Sequence, residues 1–181
     1  MYTEQELLKG CKKGKRKYQE ELYKHYFGFA MSVCLRYAPV REDAVEILND
    51  SFLKVFDKIH LYDEDKPFKS WFRRILVNTS LDYYRSRKKY LFHVELNEAE
   101  LDAEIPIDWE SDLKTDVILK LFTQLPDLYR HIFNLYELEG YSHDEIAGML
   151  SISPGTSRSH LSRAKKRIKE LYAEHLKLDK R

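Results

Sequence analysis

An apolar residue recurs every three or four positions through most of this chain, a spacing that lays a continuous stripe along one side of an α-helix. No run of strict alternation is long enough to make the half-buried strand of a sheet. Glycine and proline, 6 and 5 of the 181 residues, stand at the breaks between periodic stretches. The fold class is therefore all-α. The periodicity predicts helices at about 3–13, 15–37, 41–59 and 67–89, with a loop at 60–66, and again near 113–123, 126–138, 142–150 and 154–176. Pro126 and Pro154 fit first-turn positions, where a missing amide hydrogen costs nothing. Residues 90–112 are acidic, hold Pro106 and show no clear period. The expected organisation is two small helical domains, 1–90 and 113–178, joined by an acidic linker at 91–112.

Composition narrows the function classes. With 43% hydrophobic and 34% charged residues the chain can bury a core and is not a disordered protein. The longest apolar runs, such as Ile75-Leu76-Val77, are too short to cross a bilayer, and Met1 to Gly10 lacks the basic-then-apolar pattern of a secretion signal. A cytoplasmic protein without membrane insertion is expected. Cys11 and Cys34 form neither a CxxC pair nor a cluster with histidine, so the chain is expected to carry reduced thiols, no metal and no cofactor.

The net charge of +1 hides a marked distribution. Lys66, Lys69, Arg73, Arg74, Arg85, Arg87, Lys88 and Lys89 face a single nearby acid, Asp82. Glu95, Glu98, Glu100, Asp102, Glu104, Asp108, Glu110 and Asp112 then follow without a compensating base, and positive charge returns at Arg158, Arg163, Lys165, Lys166, Arg167 and Lys169. Two basic surfaces separated by an acidic segment point to two nucleic-acid contacts.

The second basic surface reads as a helix-turn-helix. Ser142 and Glu145 make a capping box, and Ile146, Ala147 and Leu150 supply the buried face of the first helix. After the short turn at Ser151-Ile152-Ser153, Leu161, Ala164, Ile168 and Leu171 line the core side of the second helix. Its other side presents Ser159, Ser162, Arg163 and Lys166, with Arg158 at its edge. A steep helix pair of this kind lets the second helix enter the major groove, where arginine forks onto guanine and small hydroxyl side chains allow close approach. The competing reading is a solvated basic face on an ordinary helical hairpin.

In the first basic surface, the stripe Phe68, Phe72, Ile75, Leu76, Thr79 and Tyr83 is expected to face the core, beside a row of Trp71, Arg74, Asn78, Asp82 and Arg85. An indole next to two cations and an amide suits unpaired DNA, since the ring stacks on a base, arginine holds phosphate and asparagine reads hydrogen-bonding edges. The alternative makes Trp71 a core residue and Asp82 with Arg85 a helical ion pair. A third segment, 41–57, has Ala44, Leu48, Phe52, Val55 and Ile59 as its buried stripe, with Glu42, Glu46, Asn49, Asp50 and Asp57 on an acidic flank that includes Leu53. A leucine ringed by acids is a protein-docking pattern, although single exposed leucines are common.

Taken in order, these segments resemble the extracytoplasmic-function sigma factors of the sigma-70 family, over nearly the whole chain. Asp43-Ala-Val-Glu-Ile-Leu-Asn-Asp-Ser-Phe52 looks like the family's core-polymerase-binding helix, which commonly reads DAEDLVQETF. The stretch from Phe68 to Arg85 is similar to its melting and minus-ten segment, and that from Leu125 to Leu171 to its minus-thirty-five domain. The resemblance implies a subunit of RNA polymerase that directs promoter-specific initiation and is not an enzyme. Glu46, Asn49, Asp50 and Leu53 would meet the clamp helices of the largest polymerase subunit, with the flap of the second subunit as a further contact. Asn78 and the loop 59–68 would cradle a flipped minus-ten base with Trp71 at the melting edge, and Arg158, Ser159, Ser162 and Arg163 would meet the upstream element. The linker would thread the polymerase channels near the RNA path. An anti-sigma partner is also compatible with the resemblance, although no particular residue points to one. The chain departs from the family in Asn49-Asp50, where Gln-Glu is common, and in His160, where arginine is common.

Two rival readings remain. An ordinary helix-turn-helix regulator would use the N-terminal helices to sense or dimerise, leaving the Trp71 row unexplained. An enzyme reading rests on His143-Asp144-Glu145, but successive helical positions splay apart and no matching ligand set accompanies them.

Overall fold

The computed structural model describes residues 2–90 and 121–178, which form helices joined by turns and loops with no strand among them. The expected linker and most of the helix expected at 113–123 lie outside the described residues. The chain divides into two compact units, Met1–Lys88 and Lys89–Arg181.

In the first unit, Thr3 stops the chain's extended start and caps α1 (Glu4–Lys12). Its hydroxyl accepts from the Glu6 amide at 3.3 Å while the Glu6 carboxylate accepts from the Thr3 amide at 2.8 Å, so two otherwise orphaned donors are satisfied. Gly14, at φ +66°, turns the chain into α2 (Arg16–Tyr37), a backbone region that glycine enters without steric cost. Gly10 lets the two helices close up, since a Cβ there would fall 2.1 Å from the Tyr18 ring. After Ala38 come α3 (Arg41–Lys58) and a single 3-10 turn, Ile59–Leu61, which takes the last position of the helix expected at 41–59. A loop then leads into α4 (Phe68–Tyr90).

Aromatic side chains bind these helices together. The Phe72 ring lies 4.9 Å from Phe52 of α3 and 5.9 Å from Tyr26 of α2, and Phe68 lies 5.0 Å from Tyr26. Each such pair adds about 0.5–1.5 kcal/mol beyond area burial. On α4 the expected stripe is buried at Phe68, Phe72, Leu76 and Thr79 but only half-buried at Ile75 and Tyr83, while Val77, Ser80 and Leu81 are also buried. The buried sector is wider than a single stripe because α4 meets both α2 and α3.

In the second unit residues 121–123 are helical, and Leu121, Phe122 and Leu125 are buried. Pro126 sits one position earlier than expected, as the extended residue (φ −52°, ψ 142°) before α5 (Asp127–Phe133). The α-helix expected to reach 138 instead widens into a π-helical turn at Asn134–Leu138, where the Glu139 amide bonds the Asn134 carbonyl at 3.0 Å. Gly140, at φ +76°, ends it. Then come α6 (His143–Leu150) and α7 (Pro154–Leu178), with Pro154 in the first turn. Arg130 is almost wholly buried, its guanidinium 2.5 Å from the Asp127 carboxylate and 3.5 Å from the Phe122 carbonyl, so it ties α5 back to the preceding turn.

Candidate nucleic-acid interfaces

The helix-turn-helix geometry follows from three caps. The Ser142 hydroxyl accepts from the Glu145 amide at 3.3 Å and the Glu145 carboxylate accepts from the Ser142 amide at 2.8 Å, the capping box that the sequence predicts. Those bonds also hold the Glu145 carboxyl below its ordinary pKa. At the other end Ser151 enters the left-handed region (φ 55°, ψ 48°) and its amide bonds the Ala147 carbonyl, which stops α6. Ser153 then caps α7 by accepting from the Thr156 amide at 2.9 Å. His143 Nδ1 lies 2.9 Å from Ser157 Oγ and its ring stacks on Tyr136 at 4.5 Å, joining the start of α6 to both α7 and the π turn.

On α7, Leu161, Ala164, Ile168 and Leu171 are buried as expected. Arg158 and Lys166 are exposed and Ser159, Ser162 and Arg163 are half-buried, so the five form one row at helical spacing on the outer side. Ser159 donates to the Thr156 carbonyl at 3.0 Å, which leaves its oxygen lone pairs free. The Arg163 Nε is buried and finds no hydrogen-bond partner among the described residues. His160 turns inward, 8% exposed and 5.0 Å from the Tyr129 ring, so it does not replace the arginine common in the resembled family as an exposed cation.

The α4 row is less uniform than its spacing implies. Arg74 and Asn78 are exposed, and neither side chain makes a hydrogen bond among the described residues. Asp82 is occupied, lying 3.2 Å from Lys54 of α3 and 2.9 Å from Arg85. It acts as a strut between helices, and the ion pair with Arg85 that the alternative reading anticipated is present. Trp71 is half-buried, with its ring 5.4 Å from Tyr62 and 5.7 Å from Phe68.

The loop ahead of α4 is held at Tyr62, a residue that periodicity did not single out. Its ring packs against Phe68 at 5.4 Å as well as Trp71, its hydroxyl donates to the Lys66 carbonyl, and its own carbonyl accepts from Lys12 Nζ of α1 at 3.4 Å. Lys12 also pairs with Glu64 at 2.7 Å and holds that carboxyl below its ordinary pKa. The available signal was the run Lys9-Gly-Cys-Lys-Lys-Gly-Lys-Arg-Lys17, which is as basic as the two surfaces already noted.

On α3, Ala44, Leu48, Phe52, Val55 and Ile59 are buried, and Glu42, Glu46, Asn49, Asp50 and Asp57 are exposed around Leu53, itself 66% exposed. Asn49 is steadied by the Tyr23 hydroxyl at 3.1 Å. Asp43 accepts from Tyr83 at 2.7 Å and pairs with Arg87, fastening the start of α3 to the end of α4.

Comparison with known proteins agrees with this arrangement. The profile for "Sigma-70 region 2" matches residues 22–90 and that for "Sigma-70, region 4" matches residues 115–168. The chain is 27% identical over 163 residues to "ECF RNA polymerase sigma factor SigM" of Bacillus subtilis (strain 168), covering 84% of this chain and 94% of that protein. It is 28% identical over 178 residues to "ECF RNA polymerase sigma-E factor" of Salmonella typhimurium, covering 92% of each. The solved structure of the sigma factor RpoE with the anti-sigma factor NepR from Bartonella quintana shares the fold at a TM-score of 0.50 and 21% identity, covering 85% of this chain and 96% of that one. The two helical units, their order and these likenesses together place the chain in the sigma-70 family, as an RNA polymerase sigma factor of the extracytoplasmic-function type that directs promoter-specific initiation.

Proposed function

We propose that the two units divide the work of promoter recognition. Residues 1–90 form a region 2-like domain that docks on core polymerase and opens the minus-ten element. Residues 113–178 form a region 4-like domain that reads the minus-thirty-five duplex, and the acidic segment 91–112 links them. Docking uses Glu46, Asn49, Asp50 and Leu53 of α3 against the clamp helices of the largest subunit, with Leu53 as the apolar anchor inside a polar rim. The second unit meets the flap. Arg158, Ser159, Ser162, Arg163 and Lys166 of α7 face the major groove. The protein acts in the cytoplasm, performs no catalytic step of its own and takes no cofactor. By analogy with the Bartonella complex, an anti-sigma protein that covers these surfaces would hold it inactive.

The observation that carries the minus-ten assignment is the pair Arg74 and Asn78, exposed and without internal hydrogen bonds, beside Trp71 and the loop held at Tyr62. A base leaving the duplex gives up a few kcal/mol of stacking and pairing, which a ring and a hydrogen-bonding amide at the loop replace. Asp82 sets the row's geometry through Lys54 and holds Arg85 at its end, where Arg85 would turn to a phosphate when the strand binds.

Permanganate footprinting of unpaired thymines, with heparin-resistant transcription on duplex and pre-melted templates, tests this. Trp71→Ala is expected to slow opening, most visibly at low temperature, and to be rescued on the bubble. Asn78→Ala is expected to relax preference at one minus-ten base. Normal opening by Trp71→Ala, or its failure to fold by circular dichroism, would return Trp71 to the core.

A further inference from the structure

Six cations, Lys9, Lys12, Lys13, Lys15, Arg16 and Lys17, fall within nine residues around the turn between α1 and α2, with no acid among them. The turn is stiff: Gly14 takes φ +66°, the Gly14 amide bonds the Cys11 carbonyl at 2.9 Å and the Lys15 amide bonds the Gly10 carbonyl at 3.2 Å. All but Lys12 are exposed. Lys12 pairs with Glu64, whereas Lys13, Lys15, Arg16 and Lys17 have no ion-pair partner among the described residues.

Lys9, Lys12 and Lys13 suit the C-terminal end of α1, but the charge that follows works against α2. The N-terminal end of a helix carries partial positive charge and favours acids. Yet α2 begins with cations, has no acid in its first turn and has no side-chain cap at Lys15. Lys15 and Lys17 lie over the Tyr18 and Tyr2 rings at 6.0 and 5.4 Å, whereas Lys13 and Arg16 make no ring contact or ion pair among the described residues. Two of the cations face the loop, since Lys12 grips both Glu64 and the Tyr62 carbonyl and Lys9 helps to hold the Glu64 carboxyl ionised.

We propose that this basic turn is a third nucleic-acid contact, gripping phosphates of the single strand whose base enters loop 59–68. The inference rests on the minus-ten reading of that loop. Phosphate contacts position a strand and carry no sequence information, so the turn sets affinity while Asn78 sets base preference.

The test uses holoenzyme assembled from core polymerase and the full chain, titrated with a fluorescent single-stranded minus-ten oligonucleotide over a range of potassium chloride. Changing Lys13, Lys15 and Arg16 together to glutamine is expected to lower the slope of log affinity against log salt by about two, because each phosphate contact on a single strand contributes about 0.7. The ratio of affinities for matched and mismatched bases is expected to stay the same, and the free chain to keep its helical circular dichroism. The charge-preserving pair Lys13→Arg and Lys15→Arg is expected to keep the wild-type slope. An unchanged slope in the glutamine variant overturns the proposal, as does a collapse of the matched-to-mismatched ratio, which would mean that the loop itself had been disturbed. If the wild type shows no base preference, or Asn78→Ala leaves it intact, the minus-ten reading falls and takes the proposal with it. An unchanged slope removes the basic turn alone.

Discussion

Ser151 shows how much a single backbone position controls. It ends α6 in the left-handed region, where a residue with a Cβ is disfavoured by about 1 kcal/mol or more relative to glycine. Ser151→Gly is expected to stabilise the second unit by up to about 1 kcal/mol, read as a higher urea midpoint for α6 signals in nuclear magnetic resonance. Ser142→Ala should act in the opposite sense. Losing the capping hydroxyl costs about 1 kcal/mol, so amides of α6 should exchange roughly five times faster. His131 makes the same unit sensitive to acid. Burial pushes its imidazole down to about 4 from 6.5, against the upward pull of the 2.5 Å bond to the Asp127 carbonyl. Between those values the unfolded chain binds a proton that the folded one refuses. Stability is therefore complete above 6.5 and falls as the pH drops towards 4, by at most about 3 kcal/mol. His131→Gln should flatten that dependence in urea midpoints measured across the range.

At the scale of helices, α7 and α3 were the most legible in the sequence, because each has one apolar stripe and one polar face. The capping box at Ser142 and the exposed Leu53 follow directly from residue type and spacing. Legibility failed where one element answers to two neighbours. On α4, Phe72 meets both Tyr26 of α2 and Phe52 of α3, and Val77 and Leu81 are buried outside the expected stripe, a wider buried sector than a single periodicity encodes. Asp82 reads as part of an open face until Lys54 of α3 reaches it. The π turn at Asn134–Leu138 was equally hidden, since an i to i+5 bond leaves the composition of a helix unchanged. Two variants of α7 separate its roles. Arg163→Ala should cost roughly 1–3 kcal/mol of discrimination between matched and mismatched minus-thirty-five elements, whereas Lys166→Ala should weaken both alike. Equal losses on both templates for Arg163→Ala would remove it from base reading. On α3, Leu53→Asp should leave the helical circular dichroism unchanged and weaken binding to core polymerase by tenfold or more in a competition assay, in keeping with loss of an apolar anchor worth about 2 kcal/mol.

For the whole molecule, the near-neutral total of +1 conceals basic surfaces on separate segments of the chain. Two weak contacts on linked units reinforce each other only when geometry lets both engage at once, so the free protein is expected to bind promoter duplex weakly and to gain specificity on joining polymerase core. Tight sequence-specific binding by the free chain in a mobility assay would instead favour an independent regulator. The most direct measurement is sequencing of transcripts made from a genomic template library by core polymerase with the wild-type chain, Asn78→Ala or Arg163→Ala. Core with the wild type is expected to start at a defined promoter set. Asn78→Ala should broaden the base composition at one minus-ten position and Arg163→Ala at the minus-thirty-five element, each leaving the other element intact. Starts no more specific than those of core alone, or both variants relaxing the same element, would contradict the assignment of one promoter element to each unit.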